Sequence, residues 1–119
     1  MCIEFLSTAI STHINHIEVK SPHFLELHCL YKTIYEGCYE WFDRYAERAM
    51  ACDETLPTFK FTQVAPKSKD RIIDVYSDLC SLKEALIKYR AEEDDIGKAM
   101  IDEAIADVDI WCWKLKSIR

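Results

Sequence analysis

Apolar residues recur every three or four positions along most of the chain, and the recurrence divides it into four helical stretches. In the first, from about Cys2 to Val19, Ile3, Leu6, Ile10, Ile14 and Ile17 form one stripe. Ser21-Pro22 ends it, because the residue before a proline is disfavoured in the helical region. The second, from about Pro22 to Cys52, is the longest. Ser21 is placed to cap it, with Pro22 at its first helical position. Its stripe runs through Phe24, Leu27, Tyr31, Ile34, Cys38, Trp41, Phe42, Tyr45 and Ala49. The third runs from about Lys69 to Ala91 on Ile72, Tyr76, Leu79, Leu82, Leu86 and Tyr89. The fourth runs from about Asp94 to Ser117 on Ile101, Ala104, Ile105, Val108, Cys112 and Leu115. Asp94 and Asp95 stand at its start, where the helix dipole favours negative charge.

A connector from about Asp53 to Ser68 separates the two helix pairs and holds Pro57 and Pro66. Within it Thr58-Phe59-Lys60-Phe61-Thr62 alternates like a strand. No second strand is available to pair with it, so it reads as extended loop. Two helices, a long crossover between helices 2 and 3, then two helices is the order of an all-α, ferritin-like four-helix bundle. At 119 residues the chain is one such domain, 1–119.

Composition narrows the field. Two glycines and three prolines are too few for a turn-rich all-β fold, and Gly37 and Gly97 cannot build a phosphate loop. The chain carries 15 basic and 21 acidic residues, a net charge of −6, and neither half is basic. That balance opposes binding of nucleic acid by bulk electrostatics. The opening Met1-Cys2-Ile3-Glu4-Phe5-Leu6 lacks the positive region of a signal peptide. No apolar run approaches the roughly 18 residues that cross a bilayer. A cytoplasmic protein is expected. The six cysteines are nowhere closer than nine residues, so there is no CxxC motif. They are expected to be reduced, small and mostly buried. Trp41, Phe42, Tyr45, Trp111 and Trp113 are expected in the core and at subunit contacts.

The chemistry-bearing residues are His16, His28, Asp43 and Glu47. Asp43 and Glu47 are four apart and share a helix face. Two carboxylates with two imidazoles suit iron, manganese or zinc. On spacing alone, the pair flanking Arg44 and Arg48 is more often a solvated ionic face, and a histidine near an interhelical turn more often a hydrogen-bonded packing residue.

The run His16-Ile17-Glu18-Val19-Lys20-Ser21-Pro22-His23-Phe24-Leu25-Glu26-Leu27-His28 resembles the signature of the Dps proteins, the mini-ferritins of starved bacteria. Their usual form is His-Trp-Asn-Val-x-Gly-Pro-x-Phe-x-x-Leu-His. Asp43-Arg44-Tyr45-Ala46-Glu47-Arg48 is similar to the family's Asp-x-x-Ala-Glu-Arg, at the expected distance. Asp107-Val108-Asp109-Ile110-Trp111-Cys112-Trp113 is similar to its last-helix segment. The resemblance extends from about Leu6 to Lys116.

The resemblance implies a homo-oligomer, a dodecameric shell that binds ferrous iron, oxidises it and stores ferric mineral, limiting Fenton damage. It places the ferroxidase site at a two-fold interface. His16 and His28 would come from one subunit, Asp43 and Glu47 from its neighbour. Three departures bear on activity. The family's remaining carboxylate, four residues after the second histidine, falls on Lys32, and an ammonium has no lone pair for iron. Glu18 or Glu26 lies close enough in sequence to replace it. His13 stands where some members have a lysine that pairs with that carboxylate, so Lys32 could be one half of a compensated exchange. The mineral-nucleating acids are reduced to Glu36 and Glu40, and Glu92 to Asp95 with Asp102 fall where the family lines its pores. DNA binding is expected to be weak or absent, since no basic tail precedes helix 1 and Lys114, Lys116 and Arg119 are few. Two alternatives stand beside the ferroxidase: a shell or smaller oligomer of the same fold without activity, and a small helical interaction module.

Overall fold

The structure, a computed structural model, describes residues 2–56 and 71–118, Arg71 by its backbone alone. Four helices account for nearly all of them: α1 (Cys2–Glu18), α2 (Phe24–Ala51), α3 (Arg71–Arg90) and α4 (Asp95–Ile118). No strand occurs among the described residues. Most of the connector, including the alternating segment Thr58 to Thr62, lies outside them, as do residues 69–70.

Helix α2 starts two residues later than expected. Ser21 does not cap it. The Ser21 hydroxyl accepts the His23 N–H at 3.1 Å, and the Ser21 carbonyl accepts the Phe24 N–H at 3.0 Å. These bonds close a turn around Pro22, and the helix begins after that turn. At the other end Asp53 takes a positive φ of 58°. The Glu54 N–H reaches the Ala49 carbonyl and the Asp53 N–H reaches Met50, a Schellman ending with aspartate where glycine is usual. Helix α4 is capped as its acidic start implies: Asp94 Oδ1 accepts the Gly97 N–H at 2.7 Å.

α1 packs on α2 and α3, and α4 on the same two helices; α1 and α4 do not meet, nor do α2 and α3. Cross-links fix the directions. Glu4 and Ser11 of α1 meet Tyr89 and Asp78 of α3, so these two run antiparallel. Trp41, Arg44 and Arg48 of α2 meet Asp107 and Glu103 of α4 and the Asp94 that caps it, again antiparallel. Lys83 and Arg90 of α3 meet Asp109 and Asp102 of α4 in the same sense. With α1 and α2 a hairpin, α2 and α3 are parallel across the diagonal.

The core is built from Phe5, Leu27, Tyr31, Ile34, Cys38, Val75, Leu79, Leu82, Leu86, Ile101, Val108 and Leu115. The stripes expected for α2, α3 and α4 largely face it. On α3 Val75 replaces Ile72 and Tyr76 at the centre, and on α4 Trp111 does so for Cys112. For α1 the expected stripe is on the wrong face. Its buried residues are Phe5, Thr8, Ala9, Thr12, Asn15 and His16, whereas Ile14 and Ile17 are 37% and 70% exposed. Thr8, Thr12, Asn15 and His16 thus face inward with Phe5 and Ala9. The aromatics also divide: Trp41, Tyr45 and Trp111 are buried and Trp113 is exposed. All six cysteines are thiols, but only Cys38 is buried; Cys29 and Cys52 are exposed.

Candidate functional site

The turn between α1 and α2 folds two histidines onto each other. His16 is on the last turn of α1 and His28 on the second turn of α2. Their rings stack with centroids 3.7 Å apart and planes 22° from parallel. His16 Nδ1–H donates to the His28 carbonyl at 2.6 Å, and His28 Nδ1–H donates to the His16 carbonyl at 2.9 Å. A carbonyl only accepts, so each Nδ1 must carry the proton. The neutral tautomer that these bonds select keeps its lone pair on Nε2. A ring nitrogen held by a backbone carbonyl, with the other nitrogen left as an acceptor, is the usual second partner of a metal-binding histidine.

Other rings enclose the pair. Phe24 stacks on His28 at 5.2 Å, and Tyr35 meets His16 edge-on at 5.2 Å. Tyr35 also stacks on His13 at 4.0 Å. Sequence reasoning passed over Tyr35 and treated Phe24 as core. The spacing carried a signal: Tyr35 lies seven residues after His28, two helical turns along the same face.

Asp43 and Glu47 lie elsewhere in this chain. Both are exposed on α2. At 1.5 Å per residue they lie about 22 and 28 Å along the helix from His28. Neither has a hydrogen-bond or ion-pair partner among the described residues, while Arg44 and Arg48 beside them turn to Glu103 and Asp94 of α4. Lys32, also exposed, lies 3.9 Å from Glu36. Lys32, Glu36, Glu40, Asp43 and Glu47 thus follow one outer face of α2. Glu26 lies 3.2 Å from His23.

Of the four expected site residues, the fold therefore unites His16 and His28 and leaves Asp43 and Glu47 apart. Among the described residues no three His, Cys, Asp or Glu side chains gather as a metal cluster within one chain. The donor set fits a metal in part: two oriented imidazoles are present, and the oxygen donors must be supplied by another chain or by water.

Several other acids have structural partners. Asp107 accepts the Trp41 indole N–H at 2.8 Å, and Asp109 pairs with Lys83 at 2.7 Å. Glu93 and Asp94 pair with Arg48, and Asp102 with Arg90. No described helix is long and apolar enough to cross a membrane. Compared with protein-family models, curated proteins and solved structures, the chain matches none.

Proposed function

We propose that the chain is the subunit of a Dps-like mini-ferritin: a homo-oligomeric shell that binds Fe²⁺, oxidises it and retains ferric mineral. The observation that carries this reading is the reciprocal lock between His16 and His28, which stacks the two rings and leaves Nε2 of each free of the Nδ1 bonds. Fe²⁺ is the substrate. His16 and His28 of one subunit bind it with Asp43 and Glu47 of a neighbour, and peroxide or oxygen takes the electrons.

Two features support assembly. The diagonal, parallel placement of α2 and α3 favours a ferritin-type crossover, since the connecting chain must return from one end of the bundle to the other. The exposed apolar residues Ile14, Ile17, Phe24 and Leu25 cluster at the histidine end of the α1–α2 hairpin, where a second copy would cover them. Its own α2 would bring Asp43 and Glu47 to the histidines. The acidic face of α2 with Glu36 and Glu40 is suited to nucleate mineral.

The test is one size-exclusion run with light scattering after Fe²⁺ is added in air, reading protein and ferric absorbance together. Twelve chains of 13.9 kDa weigh about 167 kDa, and a peak of that mass carrying ferric absorbance supports the proposal. A peak of one or two chains without iron contradicts it.

A second reading is favoured by Lys32. Its ammonium stands one helical turn beyond His28, at the place of a ligand carboxylate in the resembled family. A shell that keeps the fold and lacks ferroxidase activity follows if Lys32 holds Asp43 or Glu47 of the neighbour as a salt bridge in place of metal. A shell of full mass that takes up no iron identifies this case.

A further inference from the structure

α3 and α4 meet along a ladder of opposed residues. Tyr76 lies under the Lys116 ammonium at 5.2 Å, Lys83 bonds Asp109 at 2.7 Å, and Arg90 bonds Asp102 at 2.7 Å. In each pair the residue numbers add to the same value, as they must when two antiparallel helices stay in register. The steps along α3 (76, 83, 90) mirror those along α4 (116, 109, 102) at helical heptad spacing. Interpolation between the first two pairs puts Cys80 directly opposite Cys112. The electrostatics agree. Burial, with the nearby Cys80 and Asp109, pushes the Cys112 thiol up to about 11. The Lys83 and Lys116 ammoniums each feel both sulfurs. Neither cysteine is fully buried, so small oxidants reach them.

We propose that Cys80 and Cys112 are a dithiol that hydroperoxides oxidise to an intrachain disulfide joining α3 to α4. In the first step one thiolate attacks the peroxide oxygen. The O–O bond breaks, a sulfenic acid forms, and the leaving oxygen takes a proton to become water or an alcohol. In the second step the other sulfur attacks the sulfenic sulfur, the S–O bond breaks, and hydroxide leaves with the remaining thiol proton as water. Two thiols and one hydroperoxide thus give a disulfide, one water and one alcohol or second water. Lys83 and Lys116 offset part of the rise in the Cys112 thiol and so favour the thiolate that starts the sequence. The reaction needs no iron and stands apart from the histidine pair.

The test treats the full-length protein with hydrogen peroxide in the presence of a chelator, blocks free thiols and digests with trypsin. The expected product is peptide 72–83 linked to peptide 99–114, appearing in step with the loss of two hydrogens from the intact chain, and reverting under a dithiol reductant. Cys80→Ser and Cys112→Ser should each abolish it, and Lys83→Gln should slow it several-fold. Oxidation of Cys80 and Cys112 separately to sulfinic acids, with no linked peptide, would overturn the proposal. So would disulfides formed only through Cys29 or Cys52. A melting temperature that rises on oxidation in the wild type and not in Cys112→Ser adds a readout independent of peptide recovery.

Discussion

His16 and His28 hold each other in place: each ring donates its Nδ1–H to the other residue's backbone carbonyl, and the two rings stack 3.7 Å apart. Removing either ring therefore deletes one donor nitrogen and releases the partner residue's carbonyl from its bond. Co²⁺ absorption should report the loss. His28→Ala is expected to weaken Co²⁺ binding by at least about tenfold while the far-ultraviolet dichroism stays helical. Unchanged binding would mean that the pair is a packing device.

Lys32 is the residue most at odds with the proposed iron chemistry. It is exposed, and its nearest carboxylate in the chain, Glu36, is a loose 3.9 Å away. Exchanging it costs the monomer little, since exposed pairs contribute about 0–1 kcal/mol. Lys32→Asp is expected to raise the initial rate of Fe²⁺ oxidation several-fold without a change of mass or melting temperature. Stopped-flow absorbance of ferric species measures it.

Gly37 is needed where it stands. A Cβ built there would meet the Trp111 ring, with Cη2 only 2.8 Å away, and that ring is 6% exposed. Gly37→Ala gains roughly 1 kcal/mol in helix propensity and loses more by displacing a buried indole. The net expectation is destabilisation by about 1–3 kcal/mol in urea unfolding. Trp111→Leu in the same background should recover part of it by removing the clash.

Acid should weaken the bundle through its α4 carboxylates. The Gly97 N–H and the Arg48 guanidinium hold Asp94 below its ordinary value of 3.8, and Arg90 does the same for Asp102. A carboxyl group whose folded value is depressed adds stability that is present above its unfolded value. That stability is lost as the pH falls through the folded one. Melting temperature is therefore expected to fall as the pH drops below about 4. Asp94→Asn combined with Asp102→Asn should lower it at pH 7 and flatten that acid decline. Differential scanning calorimetry across pH 2.5 to 7 checks both.

Much of the architecture is legible in the sequence because three helices obey simple periodicity. Leu27, Ile34 and Tyr45 on α2, Leu79 and Leu86 on α3, and Ile101 and Val108 on α4 lie on the expected stripes and are buried. α1 misleads for a physical reason. Its isoleucines are its most apolar face, yet Thr12, Asn15 and His16 are buried beside Phe5 and Ala9 on the opposite side. The start of α2 shifts because Ser21 bonds its own turn. The contact of His16 with His28 is not readable from a separation of twelve residues; it depends on how tightly the turn closes. The isolation of Asp43 and Glu47 is readable, since fifteen residues of unbroken helix set the distance.

The central claim is that one site is made by two chains, and complementation tests it most directly. His16→Ala and Glu47→Ala chains are coexpressed with different tags, and doubly tagged assemblies are isolated. In a mixed pair one of the two sites at the shared interface carries both defects and the other carries neither. Random pairing should then restore about a quarter of the wild-type Fe²⁺ oxidation sites, although each variant alone is inactive. Mixed assemblies no more active than either single variant would contradict the account.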